Sequence, residues 1–91
     1  MHLVTWNTQW CCGLDGEVRP ERIVQTVQAM GECDVLCLQE IAINYPQLRG
    51  GAAHQVEQLK ALLPGWSVFF GAAVHEWTEA GEQQFGNLIA T

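Results

Sequence analysis

One seven-residue stretch decides the fold of this chain: Asp34-Val35-Leu36-Cys37-Leu38-Gln39-Glu40. Leu36 and Leu38 point to one side of the predicted strand, and Val35 and Cys37 point to the other. Apolar residues on both sides are typical of a central strand that is covered on both faces. The strand presents the Glu40 carboxylate at its C-terminal end. Because alternate strand residues share a face, Glu40 is predicted to lie on the face of Leu36 and Leu38.

The flanking segments predict an alternation of strands and helices. Runs of β-branched and aromatic residues indicate strands, and apolar residues at helical spacing indicate helices. Pro20 suits the first turn of a helix, and Pro64-Gly65 suits the end of one. The predicted elements are a strand at 2–9, a helix from Pro20 to Met30, a strand at 34–41, a helix at about 53–63, and strands at 66–74 and 85–91. This order predicts an α/β fold whose first two strands are parallel neighbours.

Composition limits the classes of function. The 91 residues make one domain at most. The chain has ten acidic and four basic residues, and its formal net charge is −6. Nucleic acid is possible as a partner, but so few cations do not support it, because phosphate contact normally uses a basic patch. A phosphate-bearing substrate would therefore rely on a bound metal ion for positive charge. No stretch is long enough to span a membrane and no signal peptide is evident, so a cytoplasmic protein is expected.

The four cysteines, Cys11, Cys12, Cys33 and Cys37, predict neither a disulfide framework nor a zinc site. Cys33 and Cys37 flank or lie on an extended strand, where four residues span roughly 13 Å, too far for both to bind one ion. The adjacent pair does not have a usual zinc spacing either. Reduced thiols are expected, with Cys37 acting as a small core residue.

A second polar residue, Asn7, ends the predicted strand Leu3-Val4-Thr5-Trp6-Asn7. Ligands of open α/β sheets bind outside the carboxyl ends of strands, and both Asn7 and Glu40 lie at such ends. A carboxylate and an amide in that position suit a hard cation and a phosphate. Taken singly, each residue has an ordinary interpretation, as a solvated glutamate or a turn asparagine.

The combination of Val4-Thr5-Trp6-Asn7 with the later Leu38-Gln39-Glu40 resembles the opening of the endonuclease/exonuclease/phosphatase superfamily, whose fold is deoxyribonuclease-I-like. The segment from Phe85 to Thr91 resembles the Gly-Asn strand of that family. The resemblance implies the N-terminal part of a four-layer α/β/β/α sandwich, with a mixed sheet and its helices on one face. Residues 1–91 would then be a single partial domain.

The resemblance also implies roles for two residues. Family members hydrolyse phosphate esters with a divalent cation, so Glu40 would bind Mg²⁺ or Mn²⁺. Asn7 would help to hold the metal and would position the scissile phosphate as a catalytic residue. The family's further elements, a His, an Asp-x-Asn and a final Asp-His pair, have no counterpart after Asp34. The chain is therefore expected to be truncated, to bind metal weakly and to be inactive alone, and whether it acts as an enzyme stays open.

The missing part of the family fold leads to one more expectation. In the intact fold a second sheet packs on the inner face of this one. Leu36 and Leu38 are predicted to lie on that inner face, exposed, and to drive formation of a homo-oligomer. The alternative function is a non-catalytic module that associates with itself or with a complementing half. The identity of the phosphoester substrate stays open.

Overall fold

The structure is a computed structural model that describes residues 1–91. Its elements are β1 (Leu3–Asn7), α1 (Pro20–Ala29), β2 (Val35–Ile43), α2 (Gln55–Leu62), β3 (Val68–Thr78) and β4 (Gly81–Ala90). Pro20 occupies the start of α1, where its missing N–H group costs no hydrogen bond. The predicted order of strands and helices is confirmed. Neither helix is long and apolar enough to cross a membrane.

The four strands form one mixed sheet in the order β1-β2-β4-β3. β1 and β2 run parallel, as predicted for strands joined through a helix. β4 runs antiparallel to both β2 and β3. The two strands that carry the predicted site residues are therefore direct neighbours, with β2 between β1 and β4.

Both helices cover the same face of the sheet. The even-numbered residues Leu36 and Leu38 of β2 are fully buried there. The cluster that joins sheet and helices also includes Ile41, Leu88 and Ala90 from the strands, Ile23, Val24 and Val27 from α1, and Val56 and Leu59 from α2. Loss of one fully buried leucine side chain from such a core costs about 2–5 kcal/mol. The α/β class with helices on one face is thus confirmed.

The expectation that Leu36 and Leu38 would be exposed is wrong, because these residues face the helices. The opposite side of the sheet has no covering layer, and we call it the open face. Its members are Leu3, Thr5 and Asn7 of β1, Val35, Cys37 and Gln39 of β2, Asn87 and Ile89 of β4, and Phe69 and Gly71 of β3. The expectation that both sides of β2 are covered is therefore also wrong.

β3 and β4 form a hairpin that is longer than predicted, with its turn at Thr78–Gly81. Residues 71–80 are exposed on both sides of the hairpin. Their sequence therefore has no alternation of buried apolar and exposed polar residues, the pattern from which a strand is predicted. A register shift between Ala72 and Val74 brings β3 close to Gly86 of β4. A Cβ atom at Gly86 would lie 2.8 Å from the Ala72 Cα, so this position accepts only glycine without a backbone shift.

Candidate functional site

A β-bulge interrupts β2 at Glu40. Leu38 and Ile41 both keep their pairing with β4, whereas Gln39 and Glu40 between them face the single residue Asn87. Glu40 has a φ of 59°, a left-handed conformation that is uncommon outside glycine. Leu38 and Ile41 are both fully buried. The two residues of the bulge are half-buried and lie on the side of the strand away from this core.

The bulge corrects the predicted orientation of Glu40. Regular alternation would place Glu40 with Leu36 and Leu38 under the helices, and that prediction is wrong because alternation takes no account of the extra residue. Asn7 pairs with Gln39 in the parallel register and lies on the open face. Neighbouring strands are about 4.8 Å apart, so Asn7 and Glu40 meet at the same end of the open face.

Asn7 has one half of its amide engaged. Its Oδ1 atom accepts a hydrogen bond of 3.2 Å from the Gln9 backbone N–H. This bond orients the side chain and leaves the Nδ2 atom free to donate to a ligand. Gln39, by contrast, donates its amide to Thr5 Oγ1 at 3.0 Å, toward the apolar end of the open face. The polar groups that remain free at the bulge are the Asn7 amide nitrogen and the Glu40 carboxylate, which makes no hydrogen bond or ion pair within the chain.

The loop after Asn7 holds the backbone of Glu40 in place. The Trp10 N–H donates to the Glu40 carbonyl at 2.7 Å. The buried hydroxyl of Thr8 lies 3.0 Å from the Gln39 carbonyl and 3.4 Å from that of Glu40, so its single proton is shared between them. The unusual φ of Glu40 is therefore supported by two donors from the neighbouring strand's loop.

That loop is itself strained. Gln9, Trp10 and Cys11 have φ values of 50°, 46° and 61°, three successive left-handed residues without a glycine. Such conformations persist only where surrounding contacts hold them, and they concentrate at functional sites. The Cys12 N–H contributes to holding the turn by donating to the Gln9 carbonyl at 2.9 Å.

Gln55 connects the two halves of the site from within the core. It is fully buried at the start of α2. Its Oε1 atom accepts from the Ala42 N–H at 3.0 Å, and its Nε2 atom donates to the Trp10 carbonyl at 2.6 Å. One amide thus links the strand that follows Glu40 to the loop that follows Asn7. The sequence prediction gave Gln55 no role, because a glutamine at a helix start carries no signal of burial.

None of the basic residues is a member of the open face, and the two that line a cavity with Asn7 are paired with acidic residues. Arg19 pairs with Glu17 at 2.8 Å, and Arg22 forms two contacts with Asp15, at 2.9 and 3.1 Å. The hydrogen bond from the Arg22 guanidinium lowers the pKa of Asp15 to about 2. Lys60 lies on α2, and Arg49 lies in the loop before it. An anion beside Glu40 would therefore need an added cation to balance the carboxylate.

The cysteines divide differently from the prediction. Cys11 belongs to the core, whereas Cys37 is half-buried on the open face, so the assignment of Cys37 to the core is wrong. Burial raises the pKa of the Cys11 thiol to about 11. The thiolate is the nucleophilic form of cysteine, so Cys11 is inert at neutral pH.

The donors at the bulge suit a hard cation. Mg²⁺ prefers oxygen ligands, keeps several waters, and is commonly held by one or two carboxylates together with substrate phosphate. Glu40 supplies one carboxylate, and Asn7 Oδ1 keeps a second lone pair beyond the one that Gln9 uses. Three or more His, Cys, Asp or Glu side chains do not come together anywhere in the chain. The donor type therefore fits magnesium, and this chain contributes a single carboxylate to it.

The histidines have other roles. His54 caps α2 by accepting a hydrogen bond of 3.2 Å from the Glu57 N–H, and His75 pairs with Glu82 across the β3–β4 hairpin at 3.3 Å.

Comparison with known proteins gives one informative result. No protein-family model matches the chain, and no curated protein matches it. A solved structure does: the endonuclease/exonuclease/phosphatase from Beutenbergia cavernae DSM 12333, with a TM-score of 0.75 and 26% sequence identity. The match covers 98% of this chain and 25% of that protein, so the chain spans about a quarter of the length of its structural relative. The resemblance predicted from the sequence is confirmed, and the chain has the fold of one part of an endonuclease/exonuclease/phosphatase protein.

Proposed function

We propose that this chain carries the metal-binding corner of a divalent-metal-dependent phosphoester hydrolase of the nuclease or phosphatase type. The observation that carries this proposal is the bulge, which places Glu40 next to the Asn7–Gln39 pair at one end of the sheet. The structural likeness of the chain to an endonuclease/exonuclease/phosphatase protein supports the same reaction class.

Glu40 would hold Mg²⁺ or Mn²⁺ through its free carboxylate. When bound, such an ion supplies positive charge to the phosphate and to the leaving oxygen. The Asn7 amide is oriented by its bond from the Gln9 N–H, and its Nδ2 atom would donate to a phosphate oxygen. Thr8 and Trp10 act through the backbone, because their donors fix the carbonyl of Glu40.

We further propose that residues 1–91 form one partial domain that is inactive, or nearly so, on its own. One carboxylate holds Mg²⁺ weakly, and the residues opposite the bulge, Asn7 and Asn87, are amides that cannot act as an acid or base to activate water. The substrate would be a phosphoester. A strong nucleic-acid interaction is not supported, because the net charge is −6 and the open face has no basic residue. Four free cysteines fit a reducing compartment, which supports a cytoplasmic location.

Manganese binding tests the assignment directly. Electron paramagnetic resonance counts free Mn²⁺ in the presence of the 91-residue chain, of Glu40→Gln and of Glu32→Gln. Glu32 is an exposed glutamate away from the bulge, so it controls for the loss of one negative charge. Binding that is lost in Glu40→Gln and kept in Glu32→Gln is the expected result. Equal binding by all three proteins would refute the metal site.

Hydrolysis of bis(p-nitrophenyl) phosphate in the presence of Mn²⁺ tests the expected inactivity. We expect no difference between the chain and Glu40→Gln. Turnover that disappears only in Glu40→Gln would show that the chain is a complete enzyme and would overturn the partial-site proposal.

A second candidate function, a non-catalytic association module, rests on the apolar end of the open face. Phe69, Ile89 and Cys37 lie in one row across three strands, and Leu3 of β1 lies one step further along the open face, opposite Val35. Phe69 is 61% exposed and Leu3 is 58% exposed. We propose a second copy of the chain as the partner, because a two-fold axis would place this apolar row against itself.

Light scattering across a range of concentrations tests the association. The chain should form a dimer or a higher oligomer, and Phe69→Glu should remain monomeric. Leu14→Glu is the control, since Leu14 is an exposed apolar residue in a loop outside the open face. A wild-type chain that stays monomeric at all concentrations would contradict the proposal.

A further inference from the structure

The bulge has an asparagine on each side. β2 lies between β1 and β4, and Asn87 of β4 is the single residue opposite Gln39 and Glu40. Asn7 occupies the corresponding position on β1. With about 4.8 Å between strands, Asn7 and Asn87 lie about 10 Å apart with Glu40 between them. A ligand at the Glu40 carboxylate would therefore be within reach of both amides.

The side chain of Asn87 has no structural role in the chain. It is exposed and makes no hydrogen bond. Its neighbour on β3 is Gly71, and even a Cβ atom added there would meet nothing within 4 Å, so the space beside Asn87 is open. Asn44 provides the contrast, because its amide donates to the Ala80 and Glu82 carbonyls at 2.8 and 3.0 Å.

The position of Asn87 is also unusual for its residue type. Asparagine is depleted in strands, where β-branched and aromatic residues are preferred. The next residue on the same face of β4 is the apolar Ile89, and the register places the polar side chain at the bulge. The Asn87 amide and the neighbouring Glu40 carboxylate both lack a partner within the chain. This arrangement favours ligand binding over a role in stabilising the strand.

We propose that Asn87 is a phosphate-contacting residue, which donates its Nδ2–H to a phosphate oxygen from the side opposite Asn7. This inference rests on the proposed function, because the phosphate is placed there by a cation at Glu40. Amide donors suit this role, since the open face has no basic side chain to bind the oxyanion directly. Two neutral donors would then flank the phosphate, while the metal supplies the charge.

Side-chain amide resonances provide the test. Inorganic phosphate is titrated into the ¹⁵N-labelled chain in the presence of Mg²⁺, and the signals of its three asparagines are followed. Asn7 and Asn87 should shift along one saturation curve, while Asn44, which is held by backbone carbonyls, should stay in place. A response of Asn7 without one of Asn87 overturns this inference and leaves the proposed function standing. If no asparagine responds and Glu40→Gln changes nothing, both fail.

Substitution gives an independent measure. Asn87→Ala should weaken phosphate binding about tenfold, the effect of losing one hydrogen bond to a charged group. Gln28→Ala is the control, because it removes an exposed amide from α1 on the other side of the sheet. Asn87→Asp should strengthen Mn²⁺ binding through a second carboxylate and should weaken phosphate binding. If Asn87→Ala melts like the wild type and binds phosphate equally well, the inference is wrong.

Discussion

Replacement of Gln55 by leucine should lower the free energy of unfolding, because two backbone groups lose their hydrogen-bond partner. Leucine fills a similar volume but cannot accept from the Ala42 N–H or donate to the Trp10 carbonyl. A buried polar group that loses its partner costs about 1–3 kcal/mol. The Ala42 bond is buried and the Trp10 bond is part-buried, so we expect a combined loss of roughly 2–5 kcal/mol. Domains of this size have about 5–14 kcal/mol in total, so the change would be severe.

Urea denaturation followed by tryptophan fluorescence measures this loss. Gln58→Leu is the matched control, because it makes the same chemical change at an exposed position of α2 and should shift stability by less than about 0.5 kcal/mol. Gln55→Glu adds a second comparison, since a carboxylate keeps the acceptor for Ala42 but sets an unpaired buried charge against the Trp10 carbonyl. We expect it to be at least as unstable as Gln55→Leu at neutral pH. Equal midpoints for Gln55→Leu and Gln58→Leu would refute the proposed role of the buried amide.

Three further predictions concern the hairpin, the core thiol and the loop. Gly86→Ala should destabilise the chain by about 1–3 kcal/mol, because the added Cβ atom would meet the β3 backbone. Gly71→Ala should be neutral or stabilising, because its Cβ atom would enter open space. Equal melting temperatures for the two variants would contradict this prediction. Since the Cys11 pKa rises from 9.0 to about 11 on folding, the unfolded chain releases this proton first. Unfolding free energy should therefore fall between pH 9 and pH 11, more steeply than in Cys11→Ala. Thr8→Val should lower the free energy of unfolding by about 1 kcal/mol in urea denaturation, because the hydrogen bonds of the hydroxyl are lost. A midpoint equal to that of the wild type would show that Trp10 alone holds the bulge.

The order of elements could be predicted from the sequence because local signals mark it. Within a helix, proline suits only the first turn, and α1 begins at Pro20. Pro64-Gly65 follows the C-cap residue of α2, and the run from Val35 to Leu38 has too many apolar residues for a surface strand. Each of these signals depends on residue types within a few positions, so no tertiary information was needed.

The geometry of the site could not be predicted in the same way. A left-handed residue is usually signalled by glycine or asparagine, and Glu40 gives no such signal. Its conformation depends on donors from Thr8 and Trp10, which are distant in sequence. The choice of which side of β2 faces the helices is also tertiary, since Leu36 and Val35 are equally apolar. The burial of Gln55 likewise becomes visible only once α2 is docked on the sheet.

The extra residue in β2 makes the length of this strand as informative as its composition. Before the bulge the even-numbered residue Leu38 faces the helices, and after it the odd-numbered residues Ile41 and Ile43 contact the same core. A relative that lacked one residue here would turn Ile41 and Ile43 outward, although every amino acid kept its chemistry. Alignments of distant relatives should therefore treat the two sides of Glu40 as separate segments. A single ungapped comparison through this strand would equate core positions with solvent-facing ones and hide the family likeness.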